Sequence, residues 1–425
     1  MTSFVTHLKC AKCGTEYSLD DKRCLCLRKD DGRLDVYYDY RAISKVLNKD
    51  TLRKRAPGLW KYKELLPVND EKKIVTLGEG GTPLLRSKRL AEKWGAKNLY
   101  LKDETRSPTG SFKDRAMTVG VSKALEFGIK TAATASSGNA AAALAAYSAR
   151  GGLDCYAFVL DIAPMEKIAQ LLLLGAKVLA VKGIEKGEDP TVKMLRMVVE
   201  KYGWYPCPSF GPFNPYQVEG PKTISYEIIE QMNWAVPDWV LLSTGASCLL
   251  AGIWKGFRDF QALGLIDRIP KLAAVQSDGN APLVRAYQEK KGPFEIKAWE
   301  HPNTVAGGLS DPFPWDGDIG LRAIRESGGT AISVPDKDIL EVQSALASHE
   351  GIFGEPSGVT SLAGFKRLLE MGVIKRDDAV VVPITGTGLK DPGTVLKMFR
   401  GAPQIEADMN EFESAIAEYY NLSIT

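Results

Sequence analysis

Short apolar runs alternate with amphipathic stretches along most of the chain. The runs are rich in β-branched residues and have the length of strands, whereas the stretches between them repeat apolar residues at helical spacing. Strands that alternate with helices are typical of a mostly parallel sheet covered on both faces. The sequence therefore predicts an α/β fold. The predicted strands are residues 98–101, 131–134, 155–160, 177–181, 239–242, 272–276, 330–334 and 379–383, and the predicted helices include residues 139–150, 165–174 and 190–202.

One lysine stands between a turn and a predicted helix. In the segment Ser107-Pro-Thr-Gly-Ser-Phe-Lys113, Pro108 and Gly110 are turn residues, and a helical pattern begins directly after them. A lysine at such a junction is held by the backbone, which suits an amine that forms a Schiff base with a carbonyl cofactor. A solvated surface lysine is the simpler interpretation of this segment alone, because most lysines in proteins are exposed.

Further motifs accompany this lysine in a fixed order. They are Leu101-Lys-Asp-Glu104, Ala135-Ser-Ser-Gly-Asn139, Glu219-Gly-Pro-Lys-Thr223, Thr244-Gly245 before Leu249-Leu-Ala-Gly252, Glu355-Pro-Ser-Gly358 and Thr385-Gly-Thr-Gly-Leu-Lys-Asp391. In this order and spacing, the series resembles the fold-type II pyridoxal-phosphate enzymes and, within them, the threonine synthase family. The resemblance extends from about residue 34 to about residue 398.

The resemblance implies a two-domain fold similar to that of the tryptophan synthase β subunit, with mostly parallel sheets covered by helices. Pyridoxal 5'-phosphate would bind in the cleft between the domains, where ligands of α/β proteins usually lie. A homodimer is also what the family suggests. The implied division of the chain is a zinc-ribbon-like N-terminal segment at 1–35, a large cofactor-binding domain at 36–114 and 211–400, a small domain at 115–210, and a helical extension at 401–425.

Each polar group of this cofactor has a candidate partner in the chain. Lys113 is the amine for the aldehyde, and it would later act as the base that moves protons at the substrate carbons. By resemblance, Asn139 meets the O3′ oxygen and Thr385 meets the pyridine nitrogen, although a plain helix N-cap is an alternative for Asn139. A neutral hydroxyl at the ring nitrogen favours elimination and replacement chemistry. The predicted cofactor-binding residues are Phe112, Lys113, Asn139, Gly245, Ala246, Ser247, Cys248, Leu249 and Thr385.

The predicted phosphate cradle departs from the family pattern. Where the family has a run such as Gly-Ser-Gly-Gly, this chain has Gly245-Ala-Ser-Cys248. The backbone amides of these residues can still wrap an anion, and Ser247 adds a hydroxyl donor. A strand-to-helix turn without an anion is the alternative for these small residues considered alone.

At the positions where the resemblance places substrate contacts, this chain differs further from the family pattern. The resemblance places contacts to the phosphate of O-phosphohomoserine where this chain has Ala140, Pro212 and Gln217, and an arginine where it has the stretch 304–310. Each lost charge-assisted bond would weaken substrate binding by roughly 1.5–3 kcal/mol. The predicted substrate-binding residues are Lys102, Ser136, Ser137 and Asn214.

Three functions are compatible with these residues. The first is a threonine synthase, a carbon–oxygen lyase of amino-acid biosynthesis that converts O-phosphohomoserine and water to threonine and phosphate. The second is an ammonia-lyase, dehydratase or β-replacement synthase that uses the same cofactor on an unphosphorylated or different amino acid. The third is a non-catalytic relative, against which the intact Lys113, Asn139 and Thr385 argue. In the first two cases the partner is a small amino-acid substrate.

The N-terminal cysteines predict a metal site. Cys10 and Cys13 form one close pair, and Cys24 and Cys26 form a second. Four thiolates at such spacing resemble a zinc ribbon, in which a structural zinc ion has tetrahedral sulfur ligands. The second pair has one intervening residue instead of two or more, so a degenerate ribbon without metal is the alternative.

Composition narrows the class of protein. The chain has 425 residues, of which 44% are hydrophobic and 25% charged, and its net charge is +3. These values are ordinary for a globular protein, and the small net charge argues against nucleic-acid binding. No apolar stretch approaches the roughly 18 residues of a membrane helix and no signal-peptide pattern is present, so we expect a cytoplasmic protein without a membrane partner. The acidic, amphipathic stretch 405–422 predicts a capping or dimer-contact helix.

Overall fold

The computed structural model describes residues 4–19, 24–28, 30, 32–163, 165–183, 189–399 and 401–420. The chain separates into two compact units, Met1–Lys390 and Asp391–Thr425. The strands are β1 (Val5–Cys10), β2 (Glu16–Tyr17), β3 (Leu34–Tyr38), β4 (Leu84–Arg86), β5 (Asn98–Asp103), β6 (Thr131–Ala135), β7 (Asp154–Leu160), β8 (Lys177–Val181), β9 (Tyr205–Pro206), β10 (Trp239–Ser243), β11 (Lys271–Ser277), β12 (Thr330–Val334) and β13 (Ala379–Ile384). The α-helices are α1 (Tyr40–Ile43), α2 (Lys49–Arg53), α3 (Arg89–Trp94), α4 (Lys113–Glu126), α5 (Asn139–Gly151), α6 (Met165–Leu173), α7 (Pro190–Tyr202), α8 (Thr223–Gln231), α9 (Cys248–Ala262), α10 (Pro282–Gln288), α11 (Gly317–Glu326), α12 (Asp336–Glu350), α13 (Pro356–Glu370), α14 (Pro392–Leu396) and α15 (Met409–Tyr420). Short 3-10 helices lie at Leu59–Leu65, Glu71–Lys73, Glu104–Arg106, Gln217–Glu219, Gly307–Leu309 and Gly388–Lys390.

Within the described residues, the strands of the first unit form three sheets. Six strands pair in the order β12-β11-β10-β13-β5-β4, and all of these pairs are parallel except β4 with β5. Four strands pair in parallel in the order β8-β7-β6-β9. A small antiparallel sheet near the N-terminus has the order β2-β1-β3. The predicted α/β fold with mostly parallel sheets is confirmed.

The predicted strands and helices are present, with differences at their ends. The strand predicted at 98–101 continues to Asp103 in β5, and the helix predicted at 165–174 is α6. Strand β10 is buried at every position, as expected for a parallel strand between two helical layers. The four-stranded sheet lies within residues 131–206, inside the predicted small domain, and the six-stranded sheet comes from both flanking segments. The division into a small and a large domain stays a prediction.

A buried ionic network fixes the start of α4. Arg115 is fully buried, with Nη2 2.8 Å from Glu104 Oε1 and Nη1 2.6 Å from Glu227 Oε1. Lys102 Nζ lies 2.6 Å from Glu227 Oε2. Burial alone would raise the pKa of Glu227, but the two cations outweigh burial and hold that pKa below its usual range. The network ties β5 and α8 to α4.

The motif Glu219-Gly-Pro-Lys-Thr223 packs against the same helix. A Cβ atom on Gly220 would lie 1.7 Å from the carbonyl oxygen of Arg115, so only glycine allows this approach. The buried Lys222 Nζ lies 2.6 Å from Glu219 Oε2 and 3.0 Å from Asp259 Oδ2. The motif therefore supports the position of α4.

The second unit contains α14 and α15. Helix α15 lies within the predicted stretch 405–422, and residues 421–425 are outside the described part of the chain. All residues of α15 are at least partly exposed. No helix in the described ranges is long and apolar enough to cross a membrane. The predicted role of this extension as a cap or dimer contact stays a prediction.

Candidate active site

The loop that carries Lys113 is hydrogen-bonded to the residues that follow strand β13. The amide of Phe112 donates to the carbonyl of Thr385 at 3.0 Å, and the amide of Thr387 donates to the carbonyl of Gly110 at 2.8 Å. Gly110 has a φ of +81°, a conformation that favours glycine, and a Cβ there would lie 2.7 Å from Thr387 Cγ2. Helix α4 begins at Lys113, as the sequence predicts. The loop that carries the lysine is thus fixed by backbone pairing to the residues that follow β13.

The amine of Lys113 contacts two polar side chains. Its Nζ donates to Ser209 Oγ at 2.7 Å and to Cys248 Sγ at 3.3 Å. The same atom lies 4.7 Å from the centre of the Phe112 ring. Burial raises the pKa of the nearby Asp311 carboxyl to about 6, and the charge of Lys113 opposes that rise. The amine is therefore enclosed between α4, the loop after β9 and the start of α9.

Sequence reasoning missed Ser209 and Asp311. Ser209 is a non-glycine residue with a φ of +69°, a strained conformation that is often found at functional sites. It lies just beyond the carboxyl end of the parallel strand β9, and ligands of α/β proteins bind beside such ends. No strand is predicted at residues 205–206, so the sequence pattern marks neither Ser209 nor Asp311.

The predicted phosphate cradle joins β10 to α9. It is tightly packed, because a Cβ on Gly245 would lie 3.1 Å from Leu309 Cα and 3.2 Å from Gly308 O. The first amides of the 15-residue helix α9 have no partner within the helix, and helix N-termini of this kind bind anions. Ser247 Oγ is buried, has no hydrogen-bond partner in the described structure, and lies beside Gly320 of α11. The backbone amides at the start of α9 are available as donors, and the role of the Ser247 hydroxyl stays a prediction.

The Ser247→Gly variant should be more stable than the wild type. Ser247 has a φ of +71°, and a non-glycine residue in this left-handed region costs roughly 1–2 kcal/mol. Glycine removes both this strain and the unpaired hydroxyl, so the free energy of unfolding should rise by about 1 kcal/mol, as measured by denaturant unfolding. Ser247→Ala is the matched control, since it removes the hydroxyl but keeps the strain. An equal gain in both variants would contradict the strain argument.

Asn139 faces the same end of β13 as the Lys113 loop. Its Nδ2 donates to Glu355 Oε1 at 2.6 Å, and the amide of Glu355 donates to the carbonyl of Gly386 at 2.9 Å. The N-cap residue of α5 is Gly138, so the interpretation of Asn139 as a plain N-cap is wrong. A Cβ on Gly386 would clash with Glu355 Oε1, so a larger residue there would displace the carboxylate that Asn139 contacts. Asn139, Glu355 and the Lys113 loop therefore converge on the residues that follow β13.

This arrangement agrees with the similarity of the chain to known proteins. Residues 75–386 match the family described as pyridoxal-phosphate dependent enzymes. The threonine synthase of Methanocaldococcus jannaschii is 42% identical over 411 residues, which cover 96% of this chain and 99% of that protein. The threonine synthase of Methanosarcina acetivorans is 44% identical over 411 residues, with coverage of 96% and 98%. The chain belongs to the threonine synthase family.

Membership in this family makes the chain a pyridoxal-phosphate-dependent enzyme. A solved structure shares the fold: the serine racemase from Dictyostelium discoideum is 26% identical, with a TM-score of 0.59 over 72% of this chain and 92% of its own. The site also fits the cofactor chemically, because Lys113 offers an amine for its aldehyde and the start of α9 offers amide donors for its phosphate. The individual contacts of Asn139 and Thr385 with the cofactor stay predictions.

Lys102 is predicted to bind substrate, but its amine contacts other groups of the protein. Lys102 is fully buried. Its Nζ donates to Thr82 O at 2.6 Å, to Glu227 Oε2 at 2.6 Å and to Gln231 Oε1 at 2.9 Å. These bonds occupy the donors of the ammonium group. The prediction for Lys102 is therefore wrong, because the residue neutralises a buried carboxylate in the network around Arg115.

Asn214 is also placed differently from the prediction. It is fully buried, its Nδ2 donates to Pro206 O at 2.8 Å, and its Oδ1 accepts from the amide of Tyr216 at 3.0 Å. Its polar atoms shape the loop after β9, so the prediction of a substrate contact is wrong. Ser136 and Ser137 are half-buried at the carboxyl end of β6, and their substrate contacts stay predictions.

The positions where the resemblance places contacts to a substrate phosphate carry no charge in this chain. Ala140 is buried in the first turn of α5, and Pro212 is half-buried. The Nε2 of Gln217 donates to the carbonyl of Phe210 at 3.2 Å. A substrate phosphate would therefore need a cation from another part of the chain.

The N-terminal cysteines come together only in part. Cys10, Cys13 and Cys26 lie together with Asp30, and the four ligand atoms are within 4.8 Å of one another. Cys24 instead packs against the hydrophobic cluster around α5. The predicted set of four cysteines is therefore wrong in one member. Sequence spacing could not show this, because Asp30 belongs to neither cysteine pair.

Proposed function

We propose that this chain is a threonine synthase, which forms threonine and phosphate from O-phosphohomoserine and water. The observation that carries the proposal is the alignment of 96% of the chain with proteins of that name. A lysine amine beside an anion-binding helix terminus suits the proton transfers of this reaction.

Lys113 and the residues around it have different roles in the reaction. Pyridoxal phosphate, when bound, supplies an electron sink that acidifies the Cα and Cβ protons of an amino acid. The amine of Lys113 is the base that removes the proton from Cα and then one from Cβ. Ser209 Oγ accepts a hydrogen bond from that amine and keeps it directed into the site. The amides at the start of α9 anchor a phosphate group, which holds the reacting carbons within reach of Lys113.

Lys167 is our candidate for the charge that holds the substrate phosphate. It lies in α6, and its Nζ is 3.8 Å from the position that a Cβ on Gly307 would occupy. The turn at Gly307–Leu309 packs on the cradle, since Leu309 Cα is 3.1 Å from a Cβ built on Gly245. Within the described residues, Lys167 has no ion pair that would neutralise its charge. An ammonium group in this place would replace the missing family contacts.

The Lys167→Met variant should bind O-phosphohomoserine more weakly. Loss of one charge-assisted bond costs roughly 1.5–3 kcal/mol, which corresponds to a rise in KM of about tenfold to a hundredfold. The kcat should stay near that of the wild type, because the lost contact acts equally on ground state and transition state. Steady-state kinetics measure both constants. Lys193→Met, which changes an exposed lysine of α7, is the control, and an unchanged KM in Lys167→Met would remove Lys167 from the proposal.

A second function is favoured by the uncharged residues Ala140, Pro212 and Gln217. An ammonia-lyase, dehydratase or β-replacement synthase that acts on an unphosphorylated or different amino acid needs no phosphate contact at these positions. Its reaction would also begin with proton removal by Lys113. The two functions therefore differ in the substrate and its leaving group.

Parallel assays separate the two functions. In the first assay, the protein with added pyridoxal phosphate is incubated with O-phosphohomoserine, and the released phosphate and threonine are measured. In the second assay, separate samples receive serine or threonine, and the ketoacids formed are measured. We expect phosphate and threonine in equal amounts. Absence of phosphate release at millimolar substrate would reject the first function, and ketoacid formation would then support the second.

We further propose that the protein acts as a homodimer in the cytoplasm. The family resemblance supports the dimer, and the seven cysteines, which are all free, are typical of a reducing compartment. Size-exclusion chromatography with light scattering tests the dimer, since a monomer mass at micromolar concentration would contradict it.

A further inference from the structure

Three cysteines and one aspartate form a cluster outside the site around Lys113. Cys13 Sγ and Cys26 Sγ are 3.7 Å apart, and Cys10 Sγ is 3.6 Å from Asp30 Oδ2. Two sulfurs bound to one tetrahedral zinc ion at about 2.3 Å are separated by about 3.8 Å. We propose that Cys10, Cys13, Cys26 and Asp30 bind one structural zinc ion, with Asp30 in the place that sequence spacing assigns to Cys24.

The cluster is not arranged as a disulfide. The cysteines are free thiols, and the 3.7 Å between the sulfurs of Cys13 and Cys26 is well beyond the about 2.05 Å of a sulfur–sulfur bond. Sulfur ligands select zinc over calcium and magnesium, which prefer oxygen ligands. Each thiol that binds the ion releases its proton to solvent, so no oxidant or reductant is needed.

Asp30 is held in a ligand position by its neighbours. The amide of Gly32 donates to Asp30 Oδ1 at 3.0 Å, and Lys12 Nζ donates to the carbonyl of Asp30 at 2.8 Å. A Cβ on Gly32 would lie 2.4 Å from Cys10 Sγ, so the loop closes over the cluster only with glycine at this position. Carboxylates that bind metals are typically hydrogen-bonded in this way, which fixes their orientation.

The sulfur ligands have matching outer contacts. The amide of Cys13 donates to Cys10 Sγ at 3.5 Å, and Tyr17 Oη lies 3.2 Å from Cys26 Sγ. Donors of this kind stabilise the thiolate form that metals require. The ion would join the turn after β1 to the loop before β3 and so reinforce a sheet of short strands.

Arg33 connects this segment to the phosphate cradle. It is buried, forms an ion pair with Asp318, and has Nη1 3.9 Å from Asp316 Oδ1. The carboxylate of Asp316 accepts from the amide of Gly211 at 3.0 Å, and the amide of Asp316 donates to the carbonyl of Ala246 at 2.8 Å. Since Ala246 belongs to the cradle, loss of the ion should weaken cofactor binding as well as lower Tm.

Metal analysis of the full-length protein tests the proposal. Untagged protein is supplied with zinc, separated from unbound metal by gel filtration, and its zinc content is measured by mass spectrometry. We expect one zinc ion per chain in the wild type and in Cys24→Ala, and at least about tenfold less in Cys13→Ser and Asp30→Ala. Cobalt(II) in the wild type should give the absorption bands of a tetrahedral site with thiolate ligands.

The Asp30→His variant shows whether Asp30→Ala loses zinc only because it fails to fold. Histidine is also a zinc ligand, so this variant should regain the ion that Asp30→Ala lacks. A chelator should lower the Tm of the wild type by several degrees and leave that of Asp30→Ala unchanged. A wild type that binds no zinc, loss of zinc from Cys24→Ala, or full zinc content in Asp30→Ala would overturn the proposal. These outcomes do not depend on threonine synthase activity.

Discussion

Replacing Lys113 with alanine should abolish threonine formation, with kcat lower by at least about 10³-fold. Lys113 supplies both the amine for the cofactor and the base for the Cα and Cβ protons, and the side chains that touch its Nζ, Ser209 and Cys248, carry no amine. The purified variant should also lack the absorbance band of the lysine-bound cofactor. Phosphate-release kinetics and the absorbance spectrum measure the two effects.

Lys130→Ala is the matched control for this prediction. Lys130 is an exposed lysine that follows helix α4, so its loss should leave kcat and the absorbance spectrum at their wild-type values. A Lys113→Ala variant that keeps the absorbance band and more than about a tenth of the wild-type kcat would show that another lysine performs the chemistry.

Replacing Arg115 with methionine should lower the free energy of unfolding by about 3–5 kcal/mol. Arg115 is fully buried and neutralises Glu104 and Glu227, so its loss leaves buried carboxylates without a sufficient positive charge. Because Arg115 lies in the first turn of α4, the same change should loosen the helix end that carries Lys113. Urea unfolding followed by circular dichroism measures the loss.

The control for Arg115 is an arginine in an exposed ion pair. Arg53 pairs with Asp50, and the two side chains are 59% and 80% exposed. Surface pairs of this kind contribute little, so Arg53→Met should change the free energy of unfolding by less than about 1 kcal/mol. Equal losses in the two variants would contradict the stabilising role of the buried network.

The elements that carry Lys113 could be predicted from the sequence because their signals are local. Pro108 and Gly110 interrupt regular structure, and α4 begins where the helical pattern resumes. The apolar strands that alternate with helices likewise predict parallel sheets, since such strands are buried on both faces. The order of the strands, with β13 between β10 and β5, depends on crossover connections and could not be predicted in the same way.

The errors concern residues whose partners are distant in the sequence. Lys102 belongs to a family motif, but its ammonium group forms an ion pair with Glu227, which lies 125 residues away in the sequence. Cys24 has suitable spacing for a metal ligand, but the folded loop brings Asp30 to the other cysteines. The pairing of β9 with β6 carries the loop that places Ser209 beside Lys113. A motif therefore supplies the residue type, and tertiary contacts decide which partner it meets.

Borohydride reduction of the protein with bound pyridoxal phosphate, followed by peptide mass spectrometry, tests the central claim most directly. The reduction fixes the cofactor covalently on the lysine that holds it. We predict the added cofactor mass on the peptide that contains Lys113 in the wild type, and no labelled peptide in Lys113→Ala. A label on a different lysine, or no label on the wild-type protein after incubation with the cofactor, would contradict the assignment of Lys113 as the catalytic residue.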